Sequence, residues 1–291
     1  MAWYSRVSVI VPVLDGEATI DACLRSLLAL DYPEERREIL VVDNGSRDGT
    51  AKILARHTPH VRVLAERRRG PAAARNRGLA SASGEIVAFT DADCVVDAQW
   101  LRHLVAPLED RGVAIAGGRI LARRPCNPIE RFGEEIHDHE RAINVYAPPY
   151  AITMNWASPS TALAAVGGFD ARLARGEDVD LAYRLVQAGY RIVFAPDAVV
   201  YHANERSFAG LFREGFQHGV YSVAVLRKHR SFVAGHGHRP WRWATYANLA
   251  AQWWRARRAA DRAGCLPLAV FDSGKKLGKI VGSIRFRSLE L

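Results

Sequence analysis

The sequence predicts an α/β fold in which a largely parallel sheet is flanked by helices. In the first third of the chain, short runs rich in Val and Ile alternate with segments whose apolar residues repeat at helical spacing. The apolar runs contain few polar residues, as expected for strands covered on both faces. With 291 residues, 49% of them hydrophobic, the chain can bury one large core or two modest lobes.

Four strands are predicted in this part of the chain, at residues 7–12, 38–42, 61–64 and 85–89. Helices are predicted between them, at residues 20–28, from about 46 to 56, and 70–82. Because ligands bind beyond the carboxyl ends of parallel strands, Asp43 and Asp91 are expected at the ligand-binding edge of the sheet.

The second half of the chain is less regular. Residues 123–149 are polar and contain Pro, which suggests a long excursion over the active face. The pattern predicts strands at 113–120, 191–194 and 199–201 and helices at 179–188 and 208–229. Three glycines at 210, 215 and 219 weaken the prediction of the last helix.

An Asp-Ala-Asp sequence, Asp91 to Asp93, directly follows the fourth predicted strand. Mg²⁺ and Mn²⁺ prefer such oxygen ligands and commonly share them with substrate phosphates. Surface turns are also rich in Asp. The buried strand before this pair favours a metal and diphosphate site over a surface turn.

Two further acidic residues, Glu177 and Asp178, stand at the start of a predicted helix. Asp near a helix N-terminus often serves as a cap. A positioned carboxylate can also act as a general base for a hydroxyl nucleophile. The local sequence leaves both interpretations of Asp178 open.

Arg75 and His202 are the remaining candidates. Arg75 could pair with a nucleotide or a carboxylate, or it could be an exposed helical residue. His202 follows a predicted strand and could complete a metal shell, or it could be a structural histidine.

These features together resemble the family 2 glycosyltransferases, which have the GT-A fold. The resemblance spans roughly residues 6–220 and rests on five stretches in the family's order: VSVIVPVLDGEATIDACLRSLLAL, EILVVDNGSRDGT, GPAAARNRGLASASGEIVAFTDADC, GGFDARLARGEDVDLAYRLVQAGYRIVFAPDAVVYH and FREGFQHG. It implies a Rossmann-like mixed sheet flanked by helices and a C-terminal helical tail. It also implies an inverting, metal-dependent enzyme that transfers sugar from a nucleotide-diphosphate donor to a hydroxyl acceptor.

The resemblance assigns roles to individual residues. The donor nucleotide would be bound by Pro12, Val13, Leu14, Glu17, Asp43 and Arg75, with Asp91, Ala92 and Asp93 at its diphosphate. The metal, Mg²⁺ or Mn²⁺, would be held by Asp91 and Asp93 and, as in some relatives, by His202. Asp178 would be the catalytic base, and Glu177 would orient the sugar or the acceptor.

Two departures from the family pattern stand out. Many relatives have an aromatic-Asn pair after the first Pro, where this chain has Leu14-Asp15. Polymer-forming relatives carry Gln-x-x-Arg-Trp on a later helix, and residues 213–219 do not match it. We therefore expect a non-processive hexosyltransferase.

The net charge of +9 favours anionic partners. Basic residues alternate with Trp in residues 241–258, and this pattern fits either an amphipathic helix packed on the catalytic domain or one lying on a membrane. Residues 1–6 lack the pattern of a signal peptide, and no uninterrupted apolar stretch of about 18 residues occurs, so we expect neither a leader nor a membrane-spanning helix. A cytoplasmic enzyme is expected, active on a saccharide or lipid-linked acceptor of the cell envelope. The membrane alternative for the tail would attach it peripherally to the inner face of the plasma membrane through residues 240–291.

The predicted organisation has three parts: a nucleotide-sugar-binding half at 1–95, an acceptor and catalytic half at 96–205, and a helical extension at 206–291. UDP-sugars are the first expectation for the donor, with GDP-mannose and dTDP-sugars open. The competing interpretations are a basic, non-enzymatic membrane- or nucleic-acid-binding protein and a nucleotidyltransferase. The latter would need a Gly-rich phosphate loop and a Lys near the first strand, and residues 11–16 contain neither.

Overall fold

The computed structural model describes residues 4–239, 244–258 and 262–289. The chain divides into two compact units. The first comprises the described residues up to 123 together with 138–202, and the second comprises 124–137 and the described residues from 203 onward.

The first unit is built on a mixed sheet of eight strands among the described residues. The strands are β1 (Val7–Val13), β2 (Arg37–Asp43), β3 (Arg62–Ala65), β4 (Ile86–Thr90), β5 (Cys94–Val96), β6 (Val113–Ala122), β7 (Asn155–Pro159) and β8 (Arg191–His202). Their order across the sheet is β3-β2-β1-β4-β7-β6-β8-β5. Strands β1 to β4 are mutually parallel, as the sequence predicts, while β7 pairs antiparallel with β4 and β6, and β5 antiparallel with β8.

Helices cover both faces of this sheet. They are α1 (Ile20–Leu28), α2 (Thr50–His57), α3 (Pro71–Leu79), α4 (Trp100–Val105), α6 (His139–Asn144), α7 (Ser160–Ala165) and α8 (Glu177–Gln187). Alternate residues of β1 enter different apolar clusters: Val9 belongs to the cluster that contains Leu24 of α1, and Ile10 to the one that contains Ala74 of α3 and Phe89 of β4. The near-continuous apolar character of the strands therefore reflects burial on both faces.

The excursion predicted at residues 123–149 contains two helices. Helix α5 (Pro128–Ile136) lies in the second unit, and its first turn is capped by the Asn127 side chain, which accepts hydrogen bonds from two backbone N–H groups. Helix α6 lies in the first unit and is capped by Asp138. The sequence analysis predicted no helix in this polar segment, and the two side-chain caps are where its helices begin.

Strand β8 is continuous where the sequence predicts two strands. Its register against β6 jumps from Ala195 to Val199, so residues 196–198 form a bulge. The buried amide of Asn155 supports the bulge, with Nδ2 donating to the carbonyls of Arg119 (2.8 Å) and Ala198 (2.9 Å). The same amide accepts a hydrogen bond from the Trp100 indole at 2.7 Å.

The second unit is helical in its described part. Besides α5 it contains α9 (Phe208–Lys228), α10 (Arg230–Gly235), α11 (Ala244–Ala256) and α12 (Arg262–Phe286). Helix α9 forms despite its glycines because α12 packs closely against them: a Cβ at Gly215 would stand 2.2 Å from the Phe271 carbonyl oxygen. The tail predicted at 241–258 is helical from Ala244, and residues 241–243 lie outside the described part. Within the described ranges, no helix is long and apolar enough to cross a bilayer.

Candidate active site

The acidic turn after β4 lies at the carboxyl end of the parallel strands, where the sequence predicts it. The side chain of Asp91 is 28% exposed and that of Asp93 is 42% exposed. Ala92 between them packs against the apolar cluster under the turn. Both carboxylates therefore reach solvent from a turn anchored between β4 and β5.

His202 lies beside this turn because of a strand pairing that the sequence analysis did not predict. The three-residue strand β5 pairs with the end of β8 and places Cys94 opposite His202. As a result, His202 Nε2 lies 3.3 Å from Asp93 Oδ2, and the His202 side chain is only 13% exposed.

Arg75 connects the acidic turn to the second acidic site. Its side chain is 4% exposed, and its guanidinium donates from Nη1 to Glu177 Oε1 at 2.5 Å and from Nη2 to Asp91 Oδ1 at 2.8 Å. It also lies 5.8 Å from the ring centre of Phe169. Two carboxylates from segments 86 residues apart thus share one buried cation, and the alternative of an exposed helical Arg is wrong.

Glu177 and Asp178 form the first turn of α8. The N-cap position is taken by Gly176, whose φ of 77° is left-handed, so Asp178 is not the helix cap. The Asp178 carboxylate accepts hydrogen bonds from the backbone N–H groups of Val179 (2.8 Å) and Thr153. Desolvation nevertheless raises the pKa of Asp178, with Arg75 acting in the opposite direction. Burial likewise raises the pKa of Glu177 against the effect of Arg75.

The loops after β1 and β2 are held together by hydrogen bonds between them. Asp43 Oδ1 accepts from the Ser46 hydroxyl at 2.6 Å, and the Ser46 oxygen accepts from the backbone N–H of Asp15 at 2.9 Å. Glu17 Oε2 accepts from the Gly49 N–H at 2.9 Å. Two predicted nucleotide contacts, Asp43 and Glu17, therefore already brace these loops.

The other predicted donor contacts lie at the end of β1. Val13 is buried and Pro12 is half-buried, whereas Leu14 is 45% exposed at the mouth of the loop. Of these three, Leu14 is the most exposed.

Asn44 is a site residue that the sequence analysis missed. It is buried, and its Nδ2 donates to the carbonyls of Glu66 (3.0 Å) and Arg68 (2.8 Å), while its Oδ1 accepts from the Gly70 N–H at 2.8 Å. It thereby fixes the loop that leads into α3 and Arg75. The signal available in the sequence was the Asn44-Gly45 pair directly after β2, which is typical of a turn.

The donor set of the acidic turn fits a divalent cation that is shared with a substrate. Asp91 and Asp93 supply hard, solvent-accessible oxygens, and the imidazole of His202 stands next to Asp93. Across the described residues, no group of three or more His, Cys, Asp or Glu side chains is arranged to hold a metal ion. The remaining ligands would have to come from substrate phosphates and water, as is usual for Mg²⁺.

The mixed sheet with this acidic edge defines an α/β sugar-transferring enzyme of the GT-A fold, and the chain is a glycosyltransferase. It belongs to glycosyl transferase family 2, whose sequence profile matches residues 8–164. The interpretations as a non-enzymatic basic protein and as a nucleotidyltransferase are therefore wrong.

Two curated relatives illustrate the similarity. The glycosyltransferase AglE of Haloferax volcanii is 33% identical over 225 residues, which cover 75% of this chain and 73% of AglE. The pre-mycofactocin glycosyltransferase of Mycobacterium tuberculosis is 33% identical over 243 residues, 76% of this chain but only 48% of the relative.

Two solved structures share the fold. The mannosyltransferase PcManGT of Pyrobaculum calidifontis, solved with GDP-Man and Mn²⁺, superposes with a TM-score of 0.67 at 24% identity, covering 96% of this chain and 88% of PcManGT. S. aureus TarS, solved with UDP-GlcNAc, superposes with a TM-score of 0.57 at 17% identity, covering 97% of this chain and 92% of the TarS chain.

Proposed function

We propose that the chain is an inverting, metal-dependent hexosyltransferase that moves a sugar from a nucleotide-diphosphate donor to a hydroxyl of an acceptor. The observation that carries this proposal is the bridge made by Arg75 between Asp91 and Glu177. Through it, the turn proposed to bind the diphosphate and the helix that carries the proposed base meet around one buried cation.

The donor side of the reaction is assigned to the acidic turn and the loops beside it. Asp91 and Asp93 would hold Mg²⁺ or Mn²⁺, with His202 next to Asp93. When bound, the metal would neutralise the diphosphate as the sugar–phosphate bond breaks. Arg75 keeps the Asp91 carboxylate in a fixed orientation, and the braced loops that contain Leu14, Glu17 and Asp43 would contact the base and ribose.

The acceptor side is assigned to the start of α8. Asp178 would accept the proton of the acceptor hydroxyl as the oxygen attacks the anomeric carbon from the face opposite the diphosphate, which inverts the configuration. The N–H groups of Val179 and Thr153 fix the direction of its carboxylate. Glu177, turned toward Arg75, would position α8 and with it the sugar or acceptor.

For the donor nucleotide we propose UDP first and GDP second. The superposed structures contain either UDP-GlcNAc or GDP-Man, so both nucleotides are compatible with this fold. For the acceptor we propose a saccharide or lipid-linked saccharide of the cell envelope, reached at the cytoplasmic face of a membrane with residues 240–291 as the attachment. The absence of a Gln-x-x-Arg-Trp element supports single rather than repeated transfers.

Adding Mn²⁺ together with the correct nucleotide should raise the apparent Tm of the protein, because a ligand that binds only the folded state stabilises it by mass action. At about 100 times Kd the stabilisation is about 2.7 kcal/mol. A thermal-shift screen of UDP, GDP and dTDP and of their sugars, with Mn²⁺ or with EDTA, measures this effect.

The matched control for the screen is Asp91→Asn/Asp93→Asn, which removes both acidic ligands from an exposed turn. Its stabilisation by Mn²⁺ and nucleotide should be lost. If every nucleotide stabilises wild type equally well in EDTA, the proposed metal dependence is wrong.

The rate of donor turnover should fall as the pH is lowered. The midpoint of this fall should lie above pH 3.8, the ordinary pKa of Asp. Desolvation raises the pKa of Asp178, and the base works only in its ionised form, so activity is lost as the pH falls through the raised pKa. The measurement is kcat/KM for nucleotide release against pH at saturating Mn²⁺, with Tm recorded at each pH. An acid limb at or below pH 3.8 would contradict the assignment.

A further inference from the structure

The C-terminal helix of the second unit carries an exposed apolar stripe. Leu277, Ile280, Val281 and Ile284 follow one another at the spacing of a single helix face and are 46%, 39%, 38% and 76% exposed. Side chains of this size on a helix face are normally buried against a core. A stripe of four of them open to solvent indicates a contact with something outside the chain.

The orientation of α12 is fixed by its other face. A Cβ at Gly278 would stand 2.1 Å from the carbonyl oxygen of Phe216, and one at Gly274 would stand 2.2 Å from that of Phe212. The helix therefore lies directly against the backbone of α9. It cannot rotate to bury the stripe without losing this close contact.

Helix α9 extends the same surface. Phe212, 37% exposed, and Leu277 line one shallow apolar depression together with Ala209, Arg213 and Phe216. Phe208, one turn before Phe212, is 41% exposed. We call Phe208 and Phe212 together with the four residues of the stripe the α9–α12 apolar surface.

Positive charge accompanies this surface. Helix α12 contains five Lys or Arg residues and a single acidic residue, Asp272. At 100° per residue, Lys276 and Arg285 fall on either side of the stripe. Arg213 lies at the rim of the depression on α9. An apolar face bordered by cations matches the chemistry of an anionic lipid surface, with acyl chains beneath negative headgroups.

We propose that the α9–α12 apolar surface docks on an anionic lipid bilayer, with its apolar side chains inserted below the headgroups and Lys276, Arg285 and Arg213 among them. This inference rests on the membrane attachment in the proposed function and deepens it, since it names the surface that makes the contact and the class of lipid that it binds. On α11, Trp253 and Trp254 are 40% and 55% exposed, and the Trp253 indole donates to Ser273 at 3.0 Å, so α11 is joined to the helix that carries the stripe.

Flotation of the full 291-residue chain with lipid vesicles tests the proposal. The protein should float with phosphatidylcholine vesicles that contain about 30% phosphatidylglycerol, float less with phosphatidylcholine alone, and be partly released in about 1 M salt, where the Debye length is about 3 Å. Leu277→Ser/Ile280→Ser/Ile284→Ser should lower the partition coefficient about tenfold or more, because three apolar anchors are removed.

Two matched variants isolate the surface. Val63→Ser/Val145→Ser changes exposed apolar residues of the first unit, which are 42% and 68% exposed, and should float like wild type. Ile280→Leu/Ile284→Leu keeps the apolar character and should also float. The circular dichroism spectrum and Tm of the triple variant should match wild type, which separates lost docking from lost folding. The proposal would be overturned if wild-type protein floats with neither kind of vesicle, or if the triple variant floats as well as wild type. A concentration-dependent dimer that dissociates in the triple variant would also overturn it, because the surface would then bind a second copy.

Discussion

Asp178→Asn should lower the rate of sugar transfer by about 10²–10⁴-fold, the usual contribution of a positioned general base. The amide keeps the size of the side chain but cannot take the acceptor proton. It can still accept hydrogen bonds from the N–H groups of Val179 and Thr153, so α8 should remain in place. The measurement is metal-dependent release of nucleotide from the donor that the thermal-shift screen identifies, with water or methyl glycosides as acceptor.

Donor binding separates a catalytic from a structural role for Asp178. The variant should show the same shift in Tm as wild type with Mn²⁺ and nucleotide, because the residues proposed to bind the diphosphate lie on the acidic turn. Asp197→Asn, which changes an exposed carboxylate in the β8 bulge of the same unit, is the matched control and should retain full activity. Normal turnover by Asp178→Asn would remove this residue from the role of base.

The parallel half of the sheet could be predicted from the sequence. Its strands are buried on both faces, and they therefore occur in the sequence as runs of apolar residues. The same logic placed Asp43 and Asp91 at the carboxyl edge. Strand β5 could not be predicted from the sequence, because three residues are too few to show a periodic pattern. Its pairing with β8 is what brings His202 to Asp93, so the sequence could suggest both residues but not their proximity.

The hydrogen bonds that Arg75 makes to Asp91 and Glu177 also could not be predicted from the local sequence. The helix that carries Arg75 contains mostly small residues, so the sequence did not show which face is buried, and an exposed Arg was as plausible as a buried one. The partners of Arg75 lie 16 and 102 residues further along the chain. The contact depends on tertiary packing, in which residues of α3 and α8 enter one apolar cluster. The glycines of α9 weakened a helix prediction that the structure confirms, because close packing against α12 overrides their low helix propensity.

Arg75→Met should lower the free energy of unfolding by about 3–5 kcal/mol, because it removes one partner of a buried ion pair. The Glu177 side chain, 6% exposed, would keep its carboxylate without a cation, and Asp91 would lose its fixed orientation. Urea unfolding followed by circular dichroism measures the change. Arg172→Met is the matched control: its Arg is 82% exposed beside Asp170, and exposed pairs contribute about 1 kcal/mol or less.

The double variant Arg75→Met/Glu177→Gln tests the physical cause. If the cost of the single variant comes from an uncompensated buried carboxylate, neutralising Glu177 should recover part of it, and the two changes should be coupled by about 0.5–3 kcal/mol. Strict additivity would mean that Arg75 stabilises the fold by packing against Phe169 and not by charge. Activity should stay low in the double variant even where stability returns. The Arg75 guanidinium, which joins α8 to the acidic turn and so holds Asp178 and Asp91 at one site, would be missing.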